Sequence, residues 1–275
     1  MGKAKKLKPK KQTLQPYTKT SPKPNVQTAQ RKAIKSTKSR STPPPIVPFL
    51  PTDRILLVGE GDFSFSRSLL TEHGCSSLIA TSYDKQSVVT TKYPQARTHV
   101  QALEAEDDCK VLYGVDAVKL GKSGVTDGGG KEVKKGNFDK VVFNFPHVGG
   151  LTRDVNRQVR YNQELLVGFF KAAIPLLANE GSLLVTIFEG EPYDLWNIRD
   201  LARHSGLKVE RSFKFSASAY PGYKHARTLG NIEGGGGWKG EDRPARTYIF
   251  NVHDGRAAAT PKRKDENSYE DSDED

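Results

Sequence analysis

The stretch Arg54-Ile-Leu-Leu-Val-Gly-Glu-Gly-Asp-Phe-Ser-Phe-Ser-Arg-Ser-Leu-Leu70 decides the fold. Ile55 to Val58 read as a short buried strand. It runs into Gly59-Glu60-Gly61 and then into an amphipathic helix. A strand, a tight glycine turn and a helix N-terminus bring backbone N–H groups and the positive end of a helix dipole to one point. Such a point holds a small ligand bearing a carboxylate, phosphate or ribose. Gly59 and Gly61 let the backbone approach that ligand closely. The third glycine of a dinucleotide fingerprint is missing, because Phe63 and Ser64 stand near its place and leave less room for a pyrophosphate. Asp62 and Ser64 can instead serve as caps of the helix.

Working outward, apolar runs alternate with helical segments. The strands are expected at Arg54–Val58, Leu78–Tyr83, Lys110–Val115, Asp139–Phe145, Ser182–Phe188, Leu207–Phe215 and Arg246–Val252. The helices are expected at Phe63–Glu72, Lys85–Lys92, Gln95–Glu106, Thr152–Ala178 and Tyr193–His204, with Pro175 kinking the fourth and Gly181 stopping it. This alternation implies an α/β fold, a parallel sheet covered on both faces. No helix separates the last two strands, so they should pair antiparallel. That layout is the one of a class I, Rossmann-like methyltransferase, a seven-stranded mostly parallel sheet with a terminal antiparallel strand inserted between the fifth and sixth. A dehydrogenase would end with another crossover. The glycine-rich segment Gly121–Gly136 and the long connection Ser216–Pro244 read as insertions, and the latter leaves the sheet at the ligand-binding rim.

The charge is unevenly distributed. The 275-residue chain carries a net +11. Residues 1–52 hold thirteen Lys or Arg and no acid, whereas residues 53–255 are balanced at 26 basic and 25 acidic side chains. Three parts follow: a disordered basic arm over 1–52, a catalytic-type domain over 53–255 and a disordered mixed-charge acidic tail over 256–275. An arm of this kind suits a polyanion, whose phosphates release counterions on contact, or a nuclear or nucleolar address; it is also explained as a tail that keeps the chain soluble. Cys75 and Cys109 are the only cysteines and give neither a disulfide framework nor zinc spacing. The scattered histidines offer no metal site, and no segment approaches membrane-spanning length.

The strand ends carry the candidate chemistry. Asp84 closes the second strand, where a carboxylate accepts hydrogen bonds from a ribose diol or caps the next helix. Asp116 follows the third strand, placed either to meet an adenine amino group or to serve as a turn residue. Asn144-Phe145-Pro146-His147 ends the fourth. Pro146 takes the chain out of the sheet, Asn144 offers a donor and an acceptor, Phe145 a stacking face and His147 a group that exchanges protons near neutrality. An Asn-Pro-Pro-aromatic tetrapeptide at this place is familiar from methyltransferases acting on planar nitrogens. Phe188–Tyr193 leaves the fifth strand at the same rim. In the last connection Tyr220, Tyr223, Lys224 and Arg227 interleave aromatics with cations, which suits unpaired bases and phosphates; a satellite hydrophobic cluster is the alternative.

These residues also have a family likeness. Leu56-Leu57-Val58-Gly59-Glu60-Gly61-Asp62-Phe63-Ser64-Phe65, Ala80-Thr81-Ser82-Tyr83-Asp84, Phe143-Asn144-Phe145-Pro146-His147, Asn162-Gln163-Glu164-Leu165-Leu166, Pro192-Tyr193-Asp194-Leu195-Trp196 and Tyr220-Pro221-Gly222-Tyr223 resemble the eukaryotic 25S-type rRNA uridine-N3 methyltransferase family. The likeness covers about residues 53–252. It implies a nuclear, nucleolar enzyme of ribosome biogenesis that methylates N3 of a uridine in large-subunit rRNA or a pre-ribosomal particle, with S-adenosyl-L-methionine as donor; the chain is separately expected to be a monomer. Glu60, Gly61 and Asp62 would line the methionine part of the cofactor, Asp84 its ribose and Asp116 its adenine end; Asn144 to His147 would face the base. Gly59, Phe63 and Ser64 complete the expected cofactor turn, and Phe145, Pro146, Tyr220, Tyr223, Lys224 and Arg227 the expected RNA contacts.

The chemistry is an in-line displacement at a sulfonium methyl, with N3 held about 3–3.5 Å from the methyl carbon. N3 lies on the pairing edge, so the uridine must be unpaired or flipped. His147 is the best-placed general base by sequence, with Asn144 holding the base. Two alternatives stay open: N6-adenine or other RNA base methylation, and an rRNA-binding assembly factor without turnover.

Overall fold

The computed structural model describes residues 44–120, 136–231 and 240–253. The expected glycine-rich insertion up to residue 135, the Gly234–Trp238 run, the basic residues of the arm and the acidic tail lie outside them. The elements run β1 (Ile55–Val58), α1 (Ser64–His73), β2 (Leu78–Ser82), α2 (Gln86–Lys92), α3 (Ala96–Glu104), β3 (Lys110–Tyr113), β4 (Phe138–Asn144), α4 (Val155–Ala173), β5 (Leu177–Phe188), α5 (Ile198–His204), β6 (Leu207–Lys214) and β7 (Ala245–Val252). They form one seven-stranded sheet in the order β3-β2-β1-β4-β5-β7-β6. Strand β7 is antiparallel to both β5 and β6, and the other strand pairs are parallel. This is the class I Rossmann-like arrangement that the alternation of the sequence implies.

Side-chain alternation along each strand separates two cores. Leu56 and Val58 join Val141, Phe143 and Val185 on the face covered by α4 and α5, where Phe169, Phe170 and Trp196 pack. Ile55 and Leu57 join Leu78, Val142 and Leu184 on the opposite face, covered by α1, α2 and α3 through Leu69, Val89 and Leu103. Both faces of β1 are dry, so a continuous apolar run was required there. The order of strands reverses between β1 and β4, which pair in parallel with Val58 opposite Phe143. A crevice therefore opens at their carboxyl ends.

Three local expectations change. Pro175 ends α4 instead of kinking it. The α-helix stops at Ala173, a 3-10 turn takes Ile174–Leu176, and β5 starts at Leu177. Gly181 accordingly is no helix stop. It lies within β5 where the register with β4 shifts, and a side chain there would meet the Phe138 carbonyl at 2.8 Å. The segment expected to be helical over Tyr193–His204 is split: a 3-10 turn at Asp194–Trp196, Asn197 at φ 51°, then α5.

The boundary at residue 52 also moves. The compact unit begins at Pro44. Phe49, placed in the disordered arm by sequence, is only 8% exposed and packs edge-on against Phe65 and Tyr220. Asp53 fixes this segment by accepting from the Leu50 N–H at 2.8 Å. An isolated Phe between prolines gives no periodic signal, and its partners lie far along the chain.

Candidate active site

A cleft of about 1020 Å3 opens at the carboxyl ends of β1, β2 and β4. That volume is at the top of the roughly 300–1,000 Å3 of ordinary small-molecule sites, which leaves room for two ligands side by side.

One side of the cleft is acidic. Gly59, at φ 72°, turns the chain away from β1. A side chain on Gly59 would meet the Phe143 ring at 2.6 Å, and one on Gly61 would meet Ala226 at 2.7 Å. Glu60, Asp62, Asp84 and Asp116 all line this side. Glu60 joins Asp62 in satisfying the first turn of α1: its Oε2 accepts from the Ser66 hydroxyl at 2.8 Å and the Ser66 N–H at 3.3 Å. The cap position itself is taken by Phe63 in the left-handed region, φ 61°. Burial raises the Glu60 pKa to about 7 against the opposing Ser66 hydrogen bonds. Asp62 is buried, accepts from the Ser64 N–H at 3.0 Å and the Gln95 amide at 3.1 Å, and its carbonyl lies 2.7 Å from His99 Nδ1. Asp84 does not cap α2. It pairs with Lys92 at 2.7 Å. Asp116 caps a 3-10 turn through the Val118 N–H at 3.1 Å and pairs with Lys119 at 3.1 Å, so its turn role is real and its carboxylate still lines the cleft.

The other side is aromatic. Asn144 ends β4, and its Nδ2 is buried with no hydrogen-bond partner among the described residues. Phe145 takes φ 52° and packs on Phe188 at 4.6 Å and on His225 at 4.4 Å. The ring chain continues from Phe188 to Tyr193 at 5.3 Å, to Trp196 at 5.1 Å and to His147 at 6.1 Å. Arg243 lies over Phe188 at 4.2 Å. Pro146 and His147 line the same space. Burial lowers the pKa of His147, and lowers that of His225 to about 4.

The connection after β6 lies across the glycine turn. Ser64 Oγ holds Lys224 through both its N–H, at 3.1 Å, and its carbonyl, at 3.2 Å. Tyr93 donates to the Arg227 carbonyl, and Lys92 to that of Thr228 at 3.2 Å. Asn231 donates to Gln95 at 2.9 Å. Tyr223, Lys224 and Arg227 thus reach the cleft, as the sequence led us to expect. Tyr223 is bonded to His225 at 3.1 Å, and its pKa is raised well above the ordinary phenol value by burial.

Two expected site residues point elsewhere. The Phe63 ring is fully buried against Tyr113, because its left-handed backbone turns the side chain into the core. Tyr220 is 3% exposed and stacks on Phe215, so it belongs to the satellite cluster and not to the cleft. Sequence reasoning missed Lys92, Tyr93, Trp196 and Arg243. The first two look like the ordinary end of a helix, Lys92 in its last turn and Tyr93 just after it, and Arg243 sits in a loop without a motif. Among the described residues no acidic, His or Cys cluster could hold a metal, and no helix is long and apolar enough to cross a membrane.

Known proteins carry the same domain. The 25S rRNA (uridine(2634)-N(3))-methyltransferase of Saccharomyces cerevisiae is 29% identical over 274 residues, covering 83% of this chain and 81% of that protein. The heavy metal-associated isoprenylated plant protein 41 of Arabidopsis thaliana is 38% identical over 176 residues, 63% of this chain and 33% of that one. A mouse ferredoxin-fold anticodon-binding domain-containing protein 1 homolog is 31% identical over 214 residues, 72% of this chain and 30% of that one. The last two are longer proteins in which this domain is one part. The model of one family, described as rRNA (uridine-N3-)-methyltransferase BTM5-like, matches residues 56–227, from the start of β1 to the connection that crosses the glycine turn. The chain therefore belongs to the rRNA (uridine-N3-)-methyltransferase BTM5-like family.

Proposed function

We propose that this protein transfers a methyl group from S-adenosylmethionine to N3 of a uridine in large-subunit rRNA. The observation that carries the reading is the division of one cleft into an acidic side and an aromatic side, in a chain of this family. S-adenosylmethionine is cationic at its sulfonium and ammonium, and when bound it supplies an electrophilic methyl carbon. Glu60, Asp62, Asp84 and Asp116 are acceptors of the right charge for such a group, and the unpartnered Asn144 Nδ2 is a donor waiting at the boundary between the two sides. The donor set therefore fits the cofactor. Glu60 and Asp62 would hold its amino-acid end, Asp84 its ribose and Asp116 its adenine.

A flipped base needs a flat apolar slot and polar groups along its edge. Phe145, Phe188 and Tyr193 form such a wall, and Asn144 and His147 stand at its edge. Arg243, Lys224 and Arg227 line the cleft and suit the flanking phosphates. The crossing segment Lys224–Thr228 packs against the glycine turn, with Ala226 beside Gly61. Thirteen basic residues in the first 52 add a tether for RNA and an address to the nucleolus.

The test is nucleoside mass spectrometry of large-subunit rRNA from cells with and without the gene. Loss of 3-methyluridine on deletion, with other methylated nucleosides unchanged, is expected. Unchanged 3-methyluridine would remove the substrate assignment.

A further inference from the structure

We propose that His147 serves the reaction as a hydrogen-bond donor, through Nε2, to a carbonyl oxygen of the target pyrimidine, and not as the base that takes its imide proton. The inference rests on the uridine-N3 reading above.

The argument starts from one hydrogen bond. His147 Nδ1 lies 2.8 Å from the backbone nitrogen of Gly149. A backbone N–H can only donate, so Nδ1 must be the acceptor, with its lone pair directed at Gly149. The proton of the neutral ring is then on Nε2. A ring in that state presents an N–H to its surroundings and has no lone pair at Nε2 with which to accept a proton.

The arrangement is held from α4. Gln158 donates to the Gly149 carbonyl at 2.7 Å, and its Oε1 accepts from the N–H groups of Leu151 and Thr152 at 3.1 and 3.3 Å. One turn further on, Asn162 Oδ1 accepts from the Val148 N–H at 3.1 Å, and its own amide is fixed on the Gln158 carbonyl at 2.9 Å. Two side chains thus pin residues 148–152 on both sides of Gly149. Switching the histidine to the other tautomer would cost the Gly149 bond without moving that frame. The ring lies beside Trp196, and among the ionisable groups that line the cleft with it are Tyr161 and Glu164 of α4, Tyr193 and Arg243, with the acids of the opposite side and Lys224, His225 and Arg227 of the crossing segment. Desolvation lowers the pKa of the ring, a direction that favours the neutral form.

A neutral donor suits uracil. Its N3–H is flanked by two carbonyl oxygens, O2 and O4. As the imide proton leaves to water, negative charge spreads onto those oxygens. The N3–CH3 bond then forms while the S–CH3 bond of the sulfonium donor breaks, releasing a neutral thioether. An N–H aimed at O2 or O4 makes the imide more acidic and stabilises the charge that develops. The same N–H opposes adenine, whose N6 amino group would meet it donor to donor. His147 is then both a catalytic residue and a reader of the base.

Two measurements on the full-length protein test this. In 15N-detected NMR of histidine-labelled protein, with the His147 ring assigned by its absence in His147→Ala, the neutral ring should carry its proton on Nε2. In single-turnover assays on unmodified large-subunit rRNA transcribed in vitro, His147→Leu should slow 3-methyluridine formation by about 10²-fold, the scale for loss of one such donor. His147→Gln, which keeps an N–H, should recover a large part of the rate. The wild-type rate should rise with pH without a histidine-like inflection. A proton on Nδ1, or an inflection that His147→Gln abolishes, would overturn the donor role. Wild-type protein that makes no 3-methyluridine would instead overturn the uridine reading, and the assigned acceptor with it; that result is visible separately from the tautomer.

Discussion

Lys92 Nζ lies 2.7 Å from Oδ2 of Asp84, the carboxylate that follows β2 and lines the acidic side of the cleft. The same ammonium donates to the Thr228 carbonyl at 3.2 Å, so one cation joins the proposed ribose acceptor to the segment crossing the glycine turn. Asp84→Asn removes the charge from this junction. Its affinity for S-adenosylmethionine should fall by about 10-fold or more, the scale of one hydrogen bond to a charged group. Calorimetry with an unchanged dissociation constant would show that Asp84 serves only Lys92.

The two glycines of the turn should separate binding from stability. Gly59 has φ 72°, and a side chain there meets Phe143 in the core at 2.6 Å. Gly59→Ala should therefore cost about 1–3 kcal/mol of stability through strain and overpacking. A side chain on Gly61 meets Ala226 in the crossing segment at 2.7 Å. Gly61→Val should abolish cofactor binding and lower the melting temperature less than Gly59→Ala does. Denaturation and calorimetry on the same two proteins decide this. Equal losses of stability in both would contradict the assignment.

Glu60 gives a pH signature. Burial raises its pKa from 4.5 to about 7, so between those values the folded protein binds a proton that the unfolded chain does not. Its contribution to stability is present below the unfolded value and is lost as pH rises towards 7. Glu60→Gln should match the wild type near pH 4 and exceed it at pH 8 by ~1–3 kcal/mol. Cofactor affinity should behave oppositely. A cationic ligand favours the ionised carboxylate, so wild-type affinity should rise from pH 6 to pH 8, and Glu60→Gln should lose that rise. A flat wild-type binding profile would separate Glu60 from the cofactor.

Truncations test the revised boundary and the arm together. Removing residues 1–43 takes away thirteen positive charges and keeps Phe49. RNA affinity should fall and its salt dependence flatten, with cofactor affinity unchanged. Phe49→Ala should instead leave RNA binding alone and destabilise the fold by about 3 kcal/mol. An equal salt slope with and without the arm would leave it only an address or a solubility tail.

Much of this was legible in the sequence because the decisive signals are local. The β1–turn–α1 unit, the alternation of strands with helices and the missing helix before β7 fix the sheet order. Strand-end residues such as Asp84 and Asn144 reach the cleft because parallel strands deliver their carboxyl ends to one rim. What could not be read depends on contacts distant in sequence or on backbone conformation. Phe63 leaves the site because its φ is positive. Glu60 becomes a cap because its side chain reaches Ser66. Phe49 and Tyr220 meet although they lie far apart along the chain. The cleft role of Lys92 and Tyr93 exists only because residues 227 and 228 return to them.

The most direct test of the central claim is a reconstitution. Full-length protein is incubated with S-adenosylmethionine carrying a deuterated methyl group and with unmodified large-subunit rRNA, and the digested nucleosides are resolved by mass spectrometry. Deuterated 3-methyluridine, at a stoichiometry of about one per rRNA as a flipped single-base site requires, is the expected product. Label recovered in N6-methyladenosine, or no label in RNA from protein that binds the cofactor, would contradict it.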